Sequence, residues 1–478
     1  MPEKARYDAV VVGSGPNGLA CAITLLKAGK RVLIIEAKPS VGGGMRTGEL
    51  TLPGFQHDIC SAIHPLGIAS PFFRSLPLRE HGLEWIFPPA ALAHPLENGQ
   101  TALLVRSVKE TAKTMREDSE NYRRLIEPLA SKWDLILPEI LAPFHIPKHP
   151  FQLLRFGLSA IQSAKGLSKR KFNSPLTRGF FAGLAAHSIV PLEQPITAAF
   201  GLVLGILGHA AGWPMPRGGS ANITMALQSY IKSLGGEFLL NTKIGSLEEL
   251  PSSELVFFDL TPRQILEIMA ERLPKGYRRQ LEGYRYGPGV FKMDFALNHP
   301  VPFKSPECSL SGVVHLGGTF EEIASSEGEV WKGNHPERPF VILAQQSLFD
   351  PTRAPGKNHT LWAYCHVPNG SDFDMSGRIT SQIERFAPGF SKTILSQSKM
   401  NCSDFQSYNN NYVGGDINGG VQNWRQLFTR PTLSLTPYRT PLKGIYICSS
   451  STPPGGGVHG MCGYYAARTA LKDIYGIE

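Results

Sequence analysis

The hexapeptide Gly13-Ser14-Gly15-Pro16-Asn17-Gly18 constrains how the chain can begin to fold more than any other feature. It joins a β-rich run, Tyr7–Val12, to a helix-forming stretch, Leu19–Ala28, which ends at Gly29 and leads into a second apolar run, Arg31–Glu36. Strand, glycine turn, helix and strand make a βαβ unit. The first glycine permits the tight turn, the second lets the backbone approach a pyrophosphate, and the third allows close helix–strand packing. The helix N-terminus offers orphan N–H groups and a positive dipole end to the anion. Glu36 ends the second strand eighteen positions past Gly18, where an acid can accept both hydroxyl protons of an adenosine ribose. A dinucleotide is therefore expected on Gly13, Ser14, Gly15, Pro16, Asn17, Gly18, Glu36 and the adjoining Ala37.

Nothing in that unit separates NAD from FAD. The next residues, Val41-Gly42-Gly43-Gly44-Met45-Arg46-Thr47, place a glycine cluster and an arginine soon after the ribose acid, so that a second loop can cross the pyrophosphate. This arrangement resembles the glutathione-reductase-type FAD domain shared by amine oxidases, phytoene desaturases and Rab GDP-dissociation inhibitors. The resemblance assigns Gly43, Gly44, Met45, Arg46 and, further on, Ile244 to the cofactor. Arg46 is expected to contact the pyrophosphate or flavin, since its pKa excludes proton abstraction.

The C-terminal run from Gly444 through Cys448, Ser449, Ser450, Ser451, Thr452 and Pro453-Pro454-Gly455-Gly456-Gly457-Val458-His459-Gly460 is similar to the carotenoid-desaturase pattern of strand, small-residue turn and helix. The resemblance covers essentially the whole chain and is strongest at its ends. It implies that Ser450, Thr452, Gly456, Gly457, Val458 and His459 adjoin the flavin ring, with a helix beginning near Val458 aiming its dipole at the ring. Many members of this family carry an acid in that turn. Here Ser449–Thr452 has none, which weakens the amine-oxidase reading.

The remaining chain reads as an α/β protein with a discontinuous FAD-binding Rossmann domain and a second α+β substrate domain carrying a mixed or antiparallel sheet. The expected divisions are 1–71, 216–265 and 441–478 for the FAD domain, 72–215 for a helical substrate- or membrane-facing part, and 266–440 for the substrate sheet. Gly289–Leu297, Phe340–Gln346 and Thr360–His366 read as its strands. Gly414–Gly420 lacks any strand–helix context, so it reads as a loop facing substrate. No second dinucleotide motif follows, which points to oxygen or a quinone as electron acceptor.

Seven scattered cysteines without a C-x-x-C pair argue for a reducing compartment and against disulfide-reductase chemistry or a zinc site. The first residues lack a secretory pattern, so a cytoplasmic protein is expected. A net charge of +9 suits an anionic partner. No nucleic-acid motif is present, and the densest basic stretch, Lys165 with Lys169, Arg170 and Lys171, is flanked by apolar sequence that suits lipid headgroups. Ile196–Trp213 is nearly all apolar but is bracketed by prolines and interrupted by Gly201, Gly205, Gly208 and Gly212, so a buried or interfacial helix is expected over a membrane span.

His57, His64, His209 and His459 read first as packed histidines, with His459 and Asp416 the candidate catalytic side chains and Tyr412 a candidate cavity residue. The family resemblance implies a flavin-dependent dehydrogenase or desaturase acting on a lipophilic, isoprenoid or polyene substrate, with peripheral membrane contact. Two rivals remain open: a flavin amine oxidase, and a lipid or prenyl escort on the same fold, for which degenerate nucleotide glycines are expected.

Overall fold

The computed structural model describes residues 7–477. Its first sheet has five parallel strands in the order Ile445–Ile447, Ser253–Phe258, Tyr7–Val12, Val32–Ile35, Glu237–Leu239. Parallel strands need crossovers that cover both faces, and the strand interiors are accordingly buried whichever way they point: Ala9, Val10, Val11 and Val12 all lie in the core. The sheet draws on the beginning, middle and end of the chain.

The first and last helices, Pro16–Lys27 and Met461–Tyr475, lie against one another. Gly463 makes this possible: a Cβ there would run into the carbonyl of Asn17. The two ends of the sequence are thus locked together beside the glycine turn.

The second sheet has seven strands, in the order Ile394–Met400, Gly289–Leu297, His359–Val367, Val341–Ala344, Ser311–Leu316, Ala90–Pro95, Thr101–Leu104. All neighbours are antiparallel except Ser311–Leu316 and Ala90–Pro95. The last two strands correct the all-helical reading of residues 72–215. They form a hairpin turned at Asn98-Gly99, where Gly99 takes a φ of +84° that other residues adopt only under strain. The short runs on either side carry too few residues to show a period above the surrounding helical pattern.

A helical layer covers the second sheet. Within it the apolar stretch forms the helix Thr197–Ala210, packed among Pro175–Ala186, Ser119–Ala130 and Pro150–Ala160. The glycines that dilute its hydropathy are its packing surface. A Cβ on Gly201 would stand 3.0 Å from the Phe181 ring, and one on Gly208 would overlap Leu104. The stretch is a core helix, not an interfacial one. No helix among the described residues is long and apolar enough to cross a membrane.

Candidate active site

At the C-terminal edge of the first strand, Gly13 turns the chain with a φ of +101° and the first helix starts at Pro16. Gly18 has to be glycine because a Cβ there would overlap the Gly13 carbonyl. Gly15 is crowded from the other side, its would-be Cβ lying 2.6 Å from Oδ2 of Asp259. Asp259, which follows the Ser253–Phe258 strand, accepts the Gly18 N–H at 2.9 Å. Burial raises its carboxyl to about 7, opposed by the Gly18 N–H and assisted by the nearby Glu36 charge. Sequence reasoning passed over Asp259, since 241 residues separate it from the glycine it holds.

Glu36 is buried at the end of the second strand. One carboxylate oxygen accepts the Ser14 N–H at 3.1 Å and the Ser14 hydroxyl, and the other accepts the Lys38 N–H at 2.9 Å with the Arg46 guanidinium 3.5 Å away. Ser14 takes up both lone pairs of the first oxygen, whereas the second keeps one beyond the Lys38 bond, so the protein orients the acid and leaves an acceptor site open. Arg46 also donates to the Gly43 carbonyl at 3.0 Å and lies over the Tyr408 ring. The two glycine loops touch: a Cβ on Gly43 would come 2.9 Å from Cα of Gly15.

One cavity of about 590 Å³ takes in this corner and the face of the second sheet. Among the expected cofactor residues, its walls include Gly13 to Asn17, Glu36, Ala37, Gly43, Gly44 and Arg46. Ile244, Ser450, Gly457 and Val458 line it too. Gly18 and Met45 stand behind the wall, the latter with a fully buried side chain. Thr452 also lies behind it, its hydroxyl donating to the Ser449 carbonyl at 2.8 Å, and Gly456 packs on the Asn418 carbonyl.

Both candidate catalytic side chains fall outside the cavity. The last helix starts at Met461 rather than near Val458, because Gly455, Gly457 and Gly460 take φ of +112°, +126° and +70° and interrupt the helical path. His459 sits at that interruption. Its Nδ1 accepts the Met461 N–H at 3.0 Å and its Nε2 lies 3.2 Å from the Gly455 carbonyl, so both ring nitrogens are engaged in fixing the backbone. Burial lowers its pKa to about 4. Asp416 accepts the N–H groups of Gly287 and Asn418, each at 2.7 Å, and of Gly420 at 3.0 Å, shaping the glycine loop from which Ile417 and Asn418 reach the cavity. Both groups spend their hydrogen-bonding capacity mainly on the backbone around them.

The far wall is apolar and aromatic. Val290, Val313, Ile342, Trp362 and Tyr364 come from the second sheet. Leu204 and Trp213 come from the helical layer, and Phe405 and Tyr412 from the chain that follows the second sheet's last strand in sequence. One cation enters it: Lys292, fully buried and paired with Asp294, whose other oxygen is 3.5 Å from Nδ1 of His57. Lys292 and Asp294 lie two apart on one face of a strand. Two charges at that spacing inside Gly289–Leu297, where every residue is buried, were a legible signal that the reading of that run as a plain strand missed. Trp362 adds a buried indole N–H without an acceptor. At the margin His187 and His315 stand 3.1 Å apart, both held neutral by burial.

Fold and site together define a class: an α/β protein of two sheets built around a Rossmann-type dinucleotide site. The NAD(P)-binding Rossmann-like domain family matches residues 11–76. The chain is similar to pyridine nucleotide-disulfide oxidoreductase domain-containing protein 2 of Rattus norvegicus, at 24% identity over 98% of this chain and 94% of that protein. It is also similar to one of the subunits of limonene dehydrogenase from Castellaniella defragrans, at 21% identity over 99% and 96% of the two chains. Putrescine oxidase, solved with putrescine bound, shares the fold with a TM-score of 0.62 at 18% identity, covering 98% of this chain and 99% of its own.

Proposed function

We propose that the protein is an FAD-dependent dehydrogenase or desaturase of the phytoene-dehydrogenase-like type, acting on a lipophilic substrate. The observation that carries this reading is the continuity of one cavity from the Glu36 and double-glycine corner to an aromatic and aliphatic wall. The corner fits FAD: an acid oriented for ribose hydroxyls, and two glycine loops in mutual contact where side chains would block a pyrophosphate. When bound there, FAD supplies a two-electron acceptor for hydride.

The protein's own groups do the rest. The glycine turn and the start of the first helix hold the anionic bridge. Glu36 fixes the ribose end. Val290, Val313, Ile342 and Trp362 exclude water and offer shape, not charge, to a substrate. Lys292, the Trp362 N–H and the Tyr364 and Tyr412 hydroxyls are donors on that wall, suited to an acceptor atom on an otherwise apolar molecule. The cavity's acids are Glu36 and Asp259 at the ends of first-sheet strands and Glu267 on the helix Pro262–Met269 packed against that sheet, and Asp294 is already paired. A protonated amine would find no unpaired carboxylate on the substrate wall, which speaks against the amine-oxidase reading. The intact glycines and Glu36 likewise speak against a flavin-free escort. Reoxidation by oxygen or a quinone, rather than supply from NADPH, is part of the proposal.

Purified protein is expected to be yellow, and its flavin to bleach when an anaerobic sample meets a lipid extract, with a product two hydrogens lighter by mass spectrometry. Colourless protein that takes up no FAD overturns the reading. Rapid anaerobic bleaching by NADPH overturns the choice of acceptor.

A further inference from the structure

Of 52 consecutive residues from Leu141 to Leu192, seven are Lys or Arg and none is Asp or Glu, in a chain whose whole net charge is +9. Inside this segment lies the largest exposed apolar feature of the described structure. Phe144 and Ile146 project from a loop at 82% and 92% exposure. The helix Pro150–Ala160 that follows shows Phe151, Leu154 and Leu158 to solvent, and Ile161 just beyond its end is exposed as well. At 100° per residue these four positions fall within one narrow stripe. The opposite side of the same helix, Phe156 and Ala160, is buried against the protein. A surface helix normally turns polar residues outward, whereas this one is apolar on its outer face as well as its buried one.

Basic residues frame the stripe. Lys148 precedes the helix and Arg155 lies beside the stripe on it. The next helix, Ala164–Lys171, ends in exposed Lys169, Arg170 and Lys171, and Arg170 donates to Gln162, which draws that basic end toward the stripe's C-terminal end. Among the described residues no carboxylate lies within ion-pairing distance of Lys148, Arg155, Lys169 or Lys171. An apolar stripe rimmed by uncompensated cations complements an anionic lipid surface, with acyl chains for the first and headgroups for the second. A second copy of this chain would bring the same positive field against itself.

What lies beneath fits the same partner. Phe156 roofs a small apolar crevice with Trp133, Ile140, Val203, Ile206 and Leu207. Three of these belong to the helix Thr197–Ala210, whose Leu204 lines the main cavity, so a single helix separates the crevice from the substrate wall. We propose that residues 144–171 dock the protein on anionic membrane and that lipophilic substrate enters beneath the Pro150–Ala160 helix. The entry route rests on the functional reading above; the docking does not.

Co-sedimentation of the purified full chain with vesicles of phosphatidylcholine alone, or of phosphatidylcholine and phosphatidylglycerol in equal parts, tests the docking. The anionic vesicles are expected to carry the protein down, less so as salt rises. Lys148→Gln, Lys169→Gln and Lys171→Gln together are expected to weaken partitioning about a hundredfold. Phe151→Glu with Leu158→Glu is expected to abolish it, at an unchanged melting temperature and flavin content, because both side chains are exposed. No binding to either vesicle, equal binding to both, or undiminished binding by the Phe151→Glu/Leu158→Glu variant overturns the proposal. So does a dimer in solution that the same substitutions dissolve. Yellow protein that stays in the supernatant refutes this inference alone, and colourless protein that sediments refutes only the flavin reading.

Discussion

Oδ2 of Asp259 accepts the backbone N–H of Gly18 at 2.9 Å, tying the end of one strand to the first turn of a helix that begins 241 residues earlier. The carboxyl is buried and its pKa is raised from 3.8 to about 7, so the folded state holds this proton more tightly than the unfolded chain. The contribution is present in full below pH 3.8 and is lost as pH rises through 7. Asp259→Asn keeps an acceptor for Gly18 and removes the titration. The variant is expected to gain on the parent progressively from pH 5 to pH 8 in parallel melting curves, up to a few kcal/mol on the order of one pKa unit per 1.4 kcal/mol. It is also expected to bind FAD more tightly at pH 8, where the parent sets a carboxylate beside an anionic pyrophosphate. A constant offset between the two curves would show that Asp259 does not titrate in this range.

The glycine turn, Glu36 and the flanking strands were legible because each is a local pattern with a local cause. Asp259 was not, because its partner is set by tertiary pairing of two parallel strands. The Ala90–Leu104 hairpin was hidden by short strands in a helical neighbourhood, although its Asn98-Gly99 turn was on view. The start of the last helix was misplaced because the glycine run ending at Gly457 reads as the whole of the turn, whereas the φ of Gly460 decides where the helix begins. Apolarity alone did not show which helix turns an apolar face to solvent. Thr197–Ala210 is the more hydrophobic but has glycines spaced for close packing, and the Pro150–Ala160 helix has bulky residues all round and only one partner side.

Lys292 and Asp294 form an ion pair with both side chains fully buried. Removing one partner strands the other charge, at about 3–5 kcal/mol, whereas replacing both leaves no uncompensated charge. Lys292→Met is therefore expected to lower denaturant stability by several kcal/mol, and Lys292→Met with Asp294→Asn to recover most of the loss. If Lys292 serves the substrate wall, the stable double variant will hold FAD normally but reduce it slowly with substrate. Full reduction rates in that variant would leave the pair a purely structural role.

Acid should unfold the protein steeply. His64, His94, His209 and His459 have pKa values lowered to about 4, and His187 to about 3, each mainly by burial. The unfolded chain takes up protons near pH 6.5 that the folded chain refuses, so stability is present above that pH and falls as pH drops toward 4. Melting temperatures measured from pH 7 down to pH 4.5 are expected to decline with more than one proton taken up on unfolding, against the opposite and smaller slope from Asp259. Tyr122→Phe removes only the hydroxyl that sits 2.7 Å from His209 and should leave the decline in place. A flat profile would mean that these rings are not held neutral.

His459 separates a structural from a chemical role cleanly, because it stands next to cavity-lining Val458 yet spends both nitrogens on the backbone of Gly455 and Met461. His459→Ala leaves the buried Met461 N–H without an acceptor, which costs about 1–3 kcal/mol. Asn at this position can present a side-chain oxygen to the same N–H, as it does at helix N-termini. His459→Ala is thus expected to melt several degrees earlier and to lose flavin more readily, with His459→Asn recovering part of both. Turnover per bound flavin, and its pH profile, should be those of the parent in both variants. A rate collapse in His459→Asn at full flavin occupancy, with one limb of the pH profile gone, would instead return His459 to the reaction and require Gly455–Gly460 to open during turnover.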